Sequence, residues 1–168
     1  MKSILILSIL LTMNMPRTYP LPGFIPTPTF SVPISPLETA KADKMLGKWM
    51  AEGKNLEVEV FKVKDRYAAR VSWFDCSAPG SPKMIEQLDT ENPDPSLRSR
   101  SWLGMVVVDD LKYDAEKNEW CGGNIYDPNS GHTFQSVVRM SSPQKLIVRG
   151  YWGIEFFGKS LKFSRVAR

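Results

Sequence analysis

His132 is the single histidine of the chain, so any Ser-His-Asp or Cys-His relay has to pass through it. It stands just past a turn in "GHTF" with no nucleophile motif beside it, and it reads as a solvated turn residue. Zinc asks for about four nitrogen, sulfur or carboxylate ligands, and one histidine with the separated Cys76 and Cys121 does not assemble them. "DPNSG" starts like a calcium loop. Its glycine comes one position early, however, and no glutamate closes the loop at the twelfth place, which leaves a turn. Asp109 with Asp110, and Asp89 with Glu91 and Asp94, have the residue types of a glycosidase acid/base pair. Both groups read as loop residues, where acids are common. No catalytic residue, metal site or cofactor is assigned, and the expected chemistry is binding without catalysis.

The densest polar stretch is "NPDPSLRSRSWLG", residues 92–104. Asn92 and Asp94 are side-chain acceptors placed before prolines. "DPSL" therefore reads as a single helical turn with Asp94 as its cap and Pro95 in first position. Arg98 and Arg100 follow at the hinge into an apolar run. In one reading they offer charge-assisted contacts to a carboxylate or phosphate head. In the other they pair with Asp94 or Glu91 and hold a rigid corner.

These side chains need a frame, and hydrophobic periodicity supplies it. "SPLETAKADKMLG" has Ser35 as cap, Pro36 in first position, Glu38 completing a capping box and Gly47 as a stop, so a short helix of about ten residues comes first. The pattern then switches to period two. Leu56, Val58 and Val60 alternate with Glu57 and Glu59, and Tyr67, Ala69, Val71 and Trp73 fall on one face of the next strand. "KWM", "WLGMVVV", two strands around "DPNSG", "KLIVRGYW" and "KSLKFSRVA" bring the total to about eight. Eight short strands joined mostly by tight turns predict an all-β fold, an antiparallel barrel with one short N-terminal helix; a two-sheet sandwich is the alternative. Residues 75–100 carry four prolines and no sustained period, a loop long enough to suggest a role at a binding mouth.

The ends of the chain bear on where it works. Residues 1–15, "MKSILILSILLTMNM", pair a positive Lys2 with a short apolar run and read as a secretory signal peptide, too short to span a bilayer as a helix. Residues 16–36 hold seven of the thirteen prolines and read as an extended linker, leaving 37–168 as a single domain. Beyond the leader, 20 basic residues stand against 18 acidic ones, interspersed, so the basic stripe that nucleic-acid binding requires is missing. In an exported chain Cys76 and Cys121 read as one disulfide closing a loop of about 45 residues, with two free thiols as the alternative. The expected location is periplasmic or extracellular.

"NPDPSLRSRSWLGM", "GGNIYDPNSGHTF", and "LIVRGYWG" followed by "FGKSLKFSRV" resemble, in order and spacing, the bacterial domain-of-unknown-function 2147 family, from about Leu46 to the end of the chain. The resemblance implies a small exported protein of a Gram-negative bacterium with a lipocalin-like barrel, and it implies no particular activity. "GKW" at Gly47 to Trp49 is similar to the glycine-x-tryptophan element of lipocalins, whose tryptophan plugs the closed end of the barrel beneath an arginine from a late strand. Leu161, Phe163 and Arg165 share one face of the last strand, so Arg165 is expected to stack over Trp49. A small amphipathic or anionic molecule is the expected ligand, with Tyr67, Trp73, Met105, Phe134, Val138 and Met140 lining a cavity and Arg98 and Arg100 at its mouth. The alternative is a structural or protein-interaction domain of the cell envelope, its partner unspecified.

Overall fold

Ser35 accepts the Glu38 amide on its side chain while the Glu38 carboxylate accepts the Ser35 amide, and Pro36 fills the first helical position. This reciprocal cap starts α1 (Pro36–Ala42), which tightens into a 3₁₀ turn over Asp43–Met45. The computed structural model describes residues 35–153, 155 and 158–167. The expected signal peptide and all but the last two residues of the expected linker lie outside the described residues.

Eight strands follow: β1 (Gly47–Ala51), β2 (Leu56–Val63), β3 (Arg66–Phe74), β4 (Val106–Asp114), β5 (Glu119–Asp127), β6 (His132–Ser142), β7 (Lys145–Tyr151) and β8 (Lys159–Arg165). Each pairs antiparallel with its successor, and β8 returns to β1 with Trp49 opposite Arg165 and Ala51 opposite Phe163. The sheet is a closed barrel, which excludes the sandwich and leaves no free sheet edge. β4 departs from expectation by starting later and running on through Asp109 and Asp110. Three β4 positions answer two on β3 here, and Asp110 takes a positive φ of 54° at the bulge. The two acids placed in a loop by the sequence pattern are therefore strand residues. Asp109 accepts the Asn124 side-chain amide, and Asp110 lies 3.8 Å from Arg66.

The turns after β2, β4 and β6 lie at the same end of the barrel as α1, and this end is closed. Trp49 is fully buried and donates its indole N–H to the Met45 carbonyl at 2.8 Å; Trp120 donates to the Ala42 carbonyl at 3.1 Å. The carbonyls orphaned where the helix ends thus satisfy the polar edges of two large buried rings. The Arg165 guanidinium carbon stands 4.1 Å from the Trp49 ring centroid. Arg165 also donates to the carbonyls of Leu46, Lys44 and Pro143. Gly47 makes room for this arrangement, because its φ is +115° and a Cβ there would lie 3.2 Å from Arg165 Nη1.

Cys76 and Cys121 are free thiols, so the expected disulfide is not formed. Cys121 pairs with Lys112 beside the closed end, whereas Cys76 follows β3 at the other end, with most of that strand between them. A bridge requires Cα atoms within about 7 Å.

Candidate functional site

Period-two alternation along the strands turns one side chain in two toward the barrel axis. Val58 and Val60 of β2, Ala69 and Val71 of β3, Val108 and Leu111 of β4, Ile125 of β5, Phe134 and Val138 of β6, Leu146 and Val148 of β7, and Leu161 and Phe163 of β8 enclose a cavity of about 640 Å³. Met45 and Trp49 form its floor. Its polar lining is confined to the loop end, where Asn55, Asp75, Trp102, Tyr126, Asp127, Asn129 and Lys159 surround the mouth. The volume falls within the range of about 300–1,000 Å³ typical of small-molecule sites, with the usual apolar wall and few polar groups.

Two polar atoms associated with this wall have no partner. The Trp102 indole nitrogen is buried without an acceptor, beside the Phe74 ring at a centroid distance of 5.6 Å. Ser136, fully buried, shares the parity of Phe134 and Val138 and pairs with Gly123 and Gly150, and its hydroxyl is also unbonded. A Cβ on Gly123 would lie 2.1 Å from the Asp109 carbonyl oxygen, so glycine lets β4 and β5 approach closely here.

The residues expected at the site separate into three groups. Phe134 and Val138 line the cavity. Tyr67 and Trp73 do not. The Tyr67 hydroxyl donates to Asp43 beneath the barrel, where Lys62 also bonds Asp43 at 2.8 Å. Burial and that carboxylate push the Tyr67 phenol well above its usual range. Trp73 is turned outward by a bulge. Val58 faces Val71 but Glu57 faces Trp73, so Ser72 is an extra residue, and Phe74 takes the inward position in place of Trp73. Of the remaining expected wall residues, Met105 is buried and Met140 packs against the core, but neither lines the cavity.

Arg98 and Arg100 form the third group, and they build the corner without reaching the cavity wall. Asp89 has no exposed surface and accepts from Arg100 Nη2 at 2.7 Å, Asn92 Nδ2 at 2.7 Å and the Tyr126 hydroxyl at 2.6 Å. Arg98 Nε donates to the Asn92 carbonyl at 2.8 Å, and Arg100 Nε is buried without an acceptor. Asn92 takes the Asp94 amide, and Asp94 takes the Ser96 amide, capping the 3₁₀ turn Pro95–Leu97. Arg100 thus pairs with Asp89, not with the Asp94 or Glu91 suggested by proximity in sequence. Burial works to raise the Asp89 carboxyl, but the bonds from Tyr126, Asn92 and Arg100 more than offset it and hold the group below its ordinary 3.8. Tyr126 is pushed up to about 12 by its own burial and by Asp89.

The same corner is docked on the hairpin between β5 and β6. Asp127 accepts the Asn129 amide, and Gly131 at φ +69° lies so close to the Glu91 carbonyl that a Cβ would sit 2.0 Å from that oxygen. "NPDPSLRSRSWLG" and "IYDPNSGH" therefore meet in space, and together they hold the long loop at the mouth. His132 stands exposed, its ring 6.3 Å from those of Trp152 and Phe134.

Residues 47–165 match the family described as uncharacterized proteins conserved in bacteria, DUF2147. The chain belongs to this family. A search of curated proteins gave no match. Among solved structures, the chain is similar to protein HP1028 from the human pathogen Helicobacter pylori, described as belonging to the lipocalin family. The identity is 25%, the TM-score is 0.60, and the match covers 73% of this chain and 82% of that one. The lipocalin-like barrel expected from the sequence is thus the fold observed.

Periodicity alone missed Lys159, Trp102 and Phe74. Lys159 was within reach, since extending the inward row Leu161, Phe163, Arg165 by one step leads to it. Phe74 was not, because an extra residue in a bulge leaves no mark on the alternation. Trp102 lies in the long loop, where no period applies.

Proposed function

We propose that this protein is a non-catalytic binding module that takes one small amphipathic molecule into its barrel, apolar part first. The observation that carries the reading is the cavity of about 640 Å³, apolar from the Trp49 floor upward with its polar groups gathered at the mouth. The unbonded Trp102 N–H at that mouth supports it, since a ligand acceptor would complete a buried donor. Work outside the cytoplasm is part of the proposal and rests on the signal-like pattern of residues 1–15.

The test is to fill the space. Val71→Trp and Val138→Trp each place a ring in the wall, and binding of the neutral fluorophore N-phenyl-1-naphthylamine is measured together with native mass spectrometry of the purified full chain. The expected result is fluorophore binding and a displaceable small-molecule adduct in the parent, both lost in folded filled variants. Equal behaviour of parent and filled variants would overturn the reading. A second reading, an interaction domain of the cell envelope, is favoured by apolar side chains exposed on the loops, Ile85 at 61% and Trp152 at 72%.

A further inference from the structure

Charges that are interspersed along the sequence are sorted by the fold onto the two ends of the barrel. The open end is acidic. Its long loop, residues 75–105, carries Asp75, Glu86, Asp89, Glu91 and Asp94 against Lys83, Arg98 and Arg100, while Asp127 and Lys159 offset each other at the rim. The closed end is basic. Lys41 and Lys44 on the helical segment, Lys64 in the turn after β2 and Lys145 at the start of β7 are exposed, and none makes an ion pair among the described residues. Most acids of this end are already engaged. Glu38 completes the helix cap, Asp43 bonds Lys62, Asp114 accepts the amides of its own turn, and Glu119 is buried against Arg139. Asp65 lies 3.8 Å from Arg66, which leaves Glu116 as the exposed acid of these turns without a cation among the described residues. Two apolar side chains also stand exposed at this end, Leu37 at 68% and Val63 at 48%.

We infer that the closed end docks on an anionic lipid bilayer, with Lys41, Lys44, Lys64 and Lys145 among the lipid phosphates and Leu37 and Val63 between the head groups. Ammonium groups without a carboxylate partner keep their full attraction for a negative surface, and each adds to it within a Debye length of about 8–10 Å. The acidic open end is repelled by the same surface, so the field of the whole barrel turns the mouth toward water. The inference concerns the outside of the barrel and stands apart from the cavity reading above.

The test is sedimentation of the full chain with vesicles of phosphatidylcholine alone and of phosphatidylcholine mixed with phosphatidylglycerol, at low and high salt. Binding to neutral vesicles reads out the apolar stretch of residues 4–13 and is expected to be the same in every variant. The mixed vesicles are expected to bind about tenfold more tightly than the neutral ones at low salt, and to lose most of that advantage at high salt. Lys44→Glu with Lys64→Glu and Lys145→Glu removes the advantage. Lys54→Glu with Lys83→Glu and Lys159→Glu makes an equal change of net charge at the open end and keeps it within about twofold. All six lysines are exposed, so both triple variants keep the parental melting temperature, and the glutamine form of the first triple gives a partial loss. Leu37→Ser with Val63→Ser weakens binding to mixed vesicles a few-fold and leaves retention on heparin unchanged. The inference is overturned if phosphatidylglycerol gives no advantage, or if the two lysine triples weaken binding equally, which would make net charge the cause. Unchanged vesicle binding in the serine variant would also overturn it, moving the partner from a bilayer to a soluble polyanion.

Discussion

At the closed end of the barrel, Trp49 and Trp120 give their indole N–H groups to helix-end carbonyls, and Arg165 lies on the Trp49 ring while bonding three more carbonyls. At the open end, Trp102 is again an indole on an inward-facing surface, but its N–H finds no acceptor, and Lys159 stands exposed at the mouth with its charge acting on Asp127. A buried donor that is satisfied stabilises the fold, and one left unsatisfied costs stability unless something else binds it. The difference separates a plug from a mouth. The polar groups of the open end divide further, since Asp89, Asn92 and Arg100 there form a latch in which the Asp89 carboxylate takes three hydrogen bonds while Arg100 Nε stays without an acceptor.

The comparison breaks most severely at the plug. Trp49→Ala removes a fully buried ring and is expected to cost about 3–5 kcal/mol in denaturant unfolding. Ligand affinity of the fraction that folds should change far less, because the mouth is untouched. Loss of binding with little loss of stability would show that the floor, and not the mouth, selects the ligand.

The latch is expected to come next. Asp89→Asn leaves Arg100 without its charge partner and should cost about 2 kcal/mol, discounted from fully buried pairs because Arg100 is well exposed. The folded Asp89 carboxyl titrates below its ordinary value, so its contribution is complete above about pH 4 and is lost as pH falls through the lower folded value. Thermal melts from pH 7 to pH 2 should therefore fall more steeply below pH 4 in the parent than in Asp89→Asn. Parallel curves would remove Asp89 from the account of acid stability.

Arg98→Gln and Arg100→Gln sharpen the contrast between corner and cavity. Each should lower stability by about 1 kcal/mol through lost bonds to Asn92 and Asp89 and leave N-phenyl-1-naphthylamine affinity within about twofold. Affinity loss without stability loss would return the arginines to the binding site. The smallest effect is expected from Cys76→Ser with Cys121→Ser, within about 0.5 kcal/mol and insensitive to reductant, as befits two separate thiols.

The barrel itself was legible wherever a local pattern has one structural solution. Alternating Leu56, Val58 and Val60, the Ser35–Glu38 cap and the "DPNSG" turn each dictate a backbone shape within a few residues, and all three are present. Phe134 follows from the same alternation, whereas the Trp49–Arg165 stack was implied by the lipocalin resemblance, with alternation placing Arg165 on the inward face. Trp73 failed because one bulged residue, Ser72, reverses every side chain beyond it, and bulges answer to the partner strand. Arg100 found Asp89, eleven positions away and weighed in the sequence only as part of a carboxylate pair, because the long loop folds back on itself against Tyr126.

By itself, then, the sequence determined the strands, their turns and the capped helix, since these depend on propensity and on a period read along one segment, while the plug came from the resemblance of "GKW" to the lipocalin element. The tertiary structure decided which polar groups remain unspent. That depends on which carbonyls, carboxylates and rings are brought together from distant segments, and it leaves the Trp102 N–H open at the mouth while Arg98 and Arg100 are bonded into the corner.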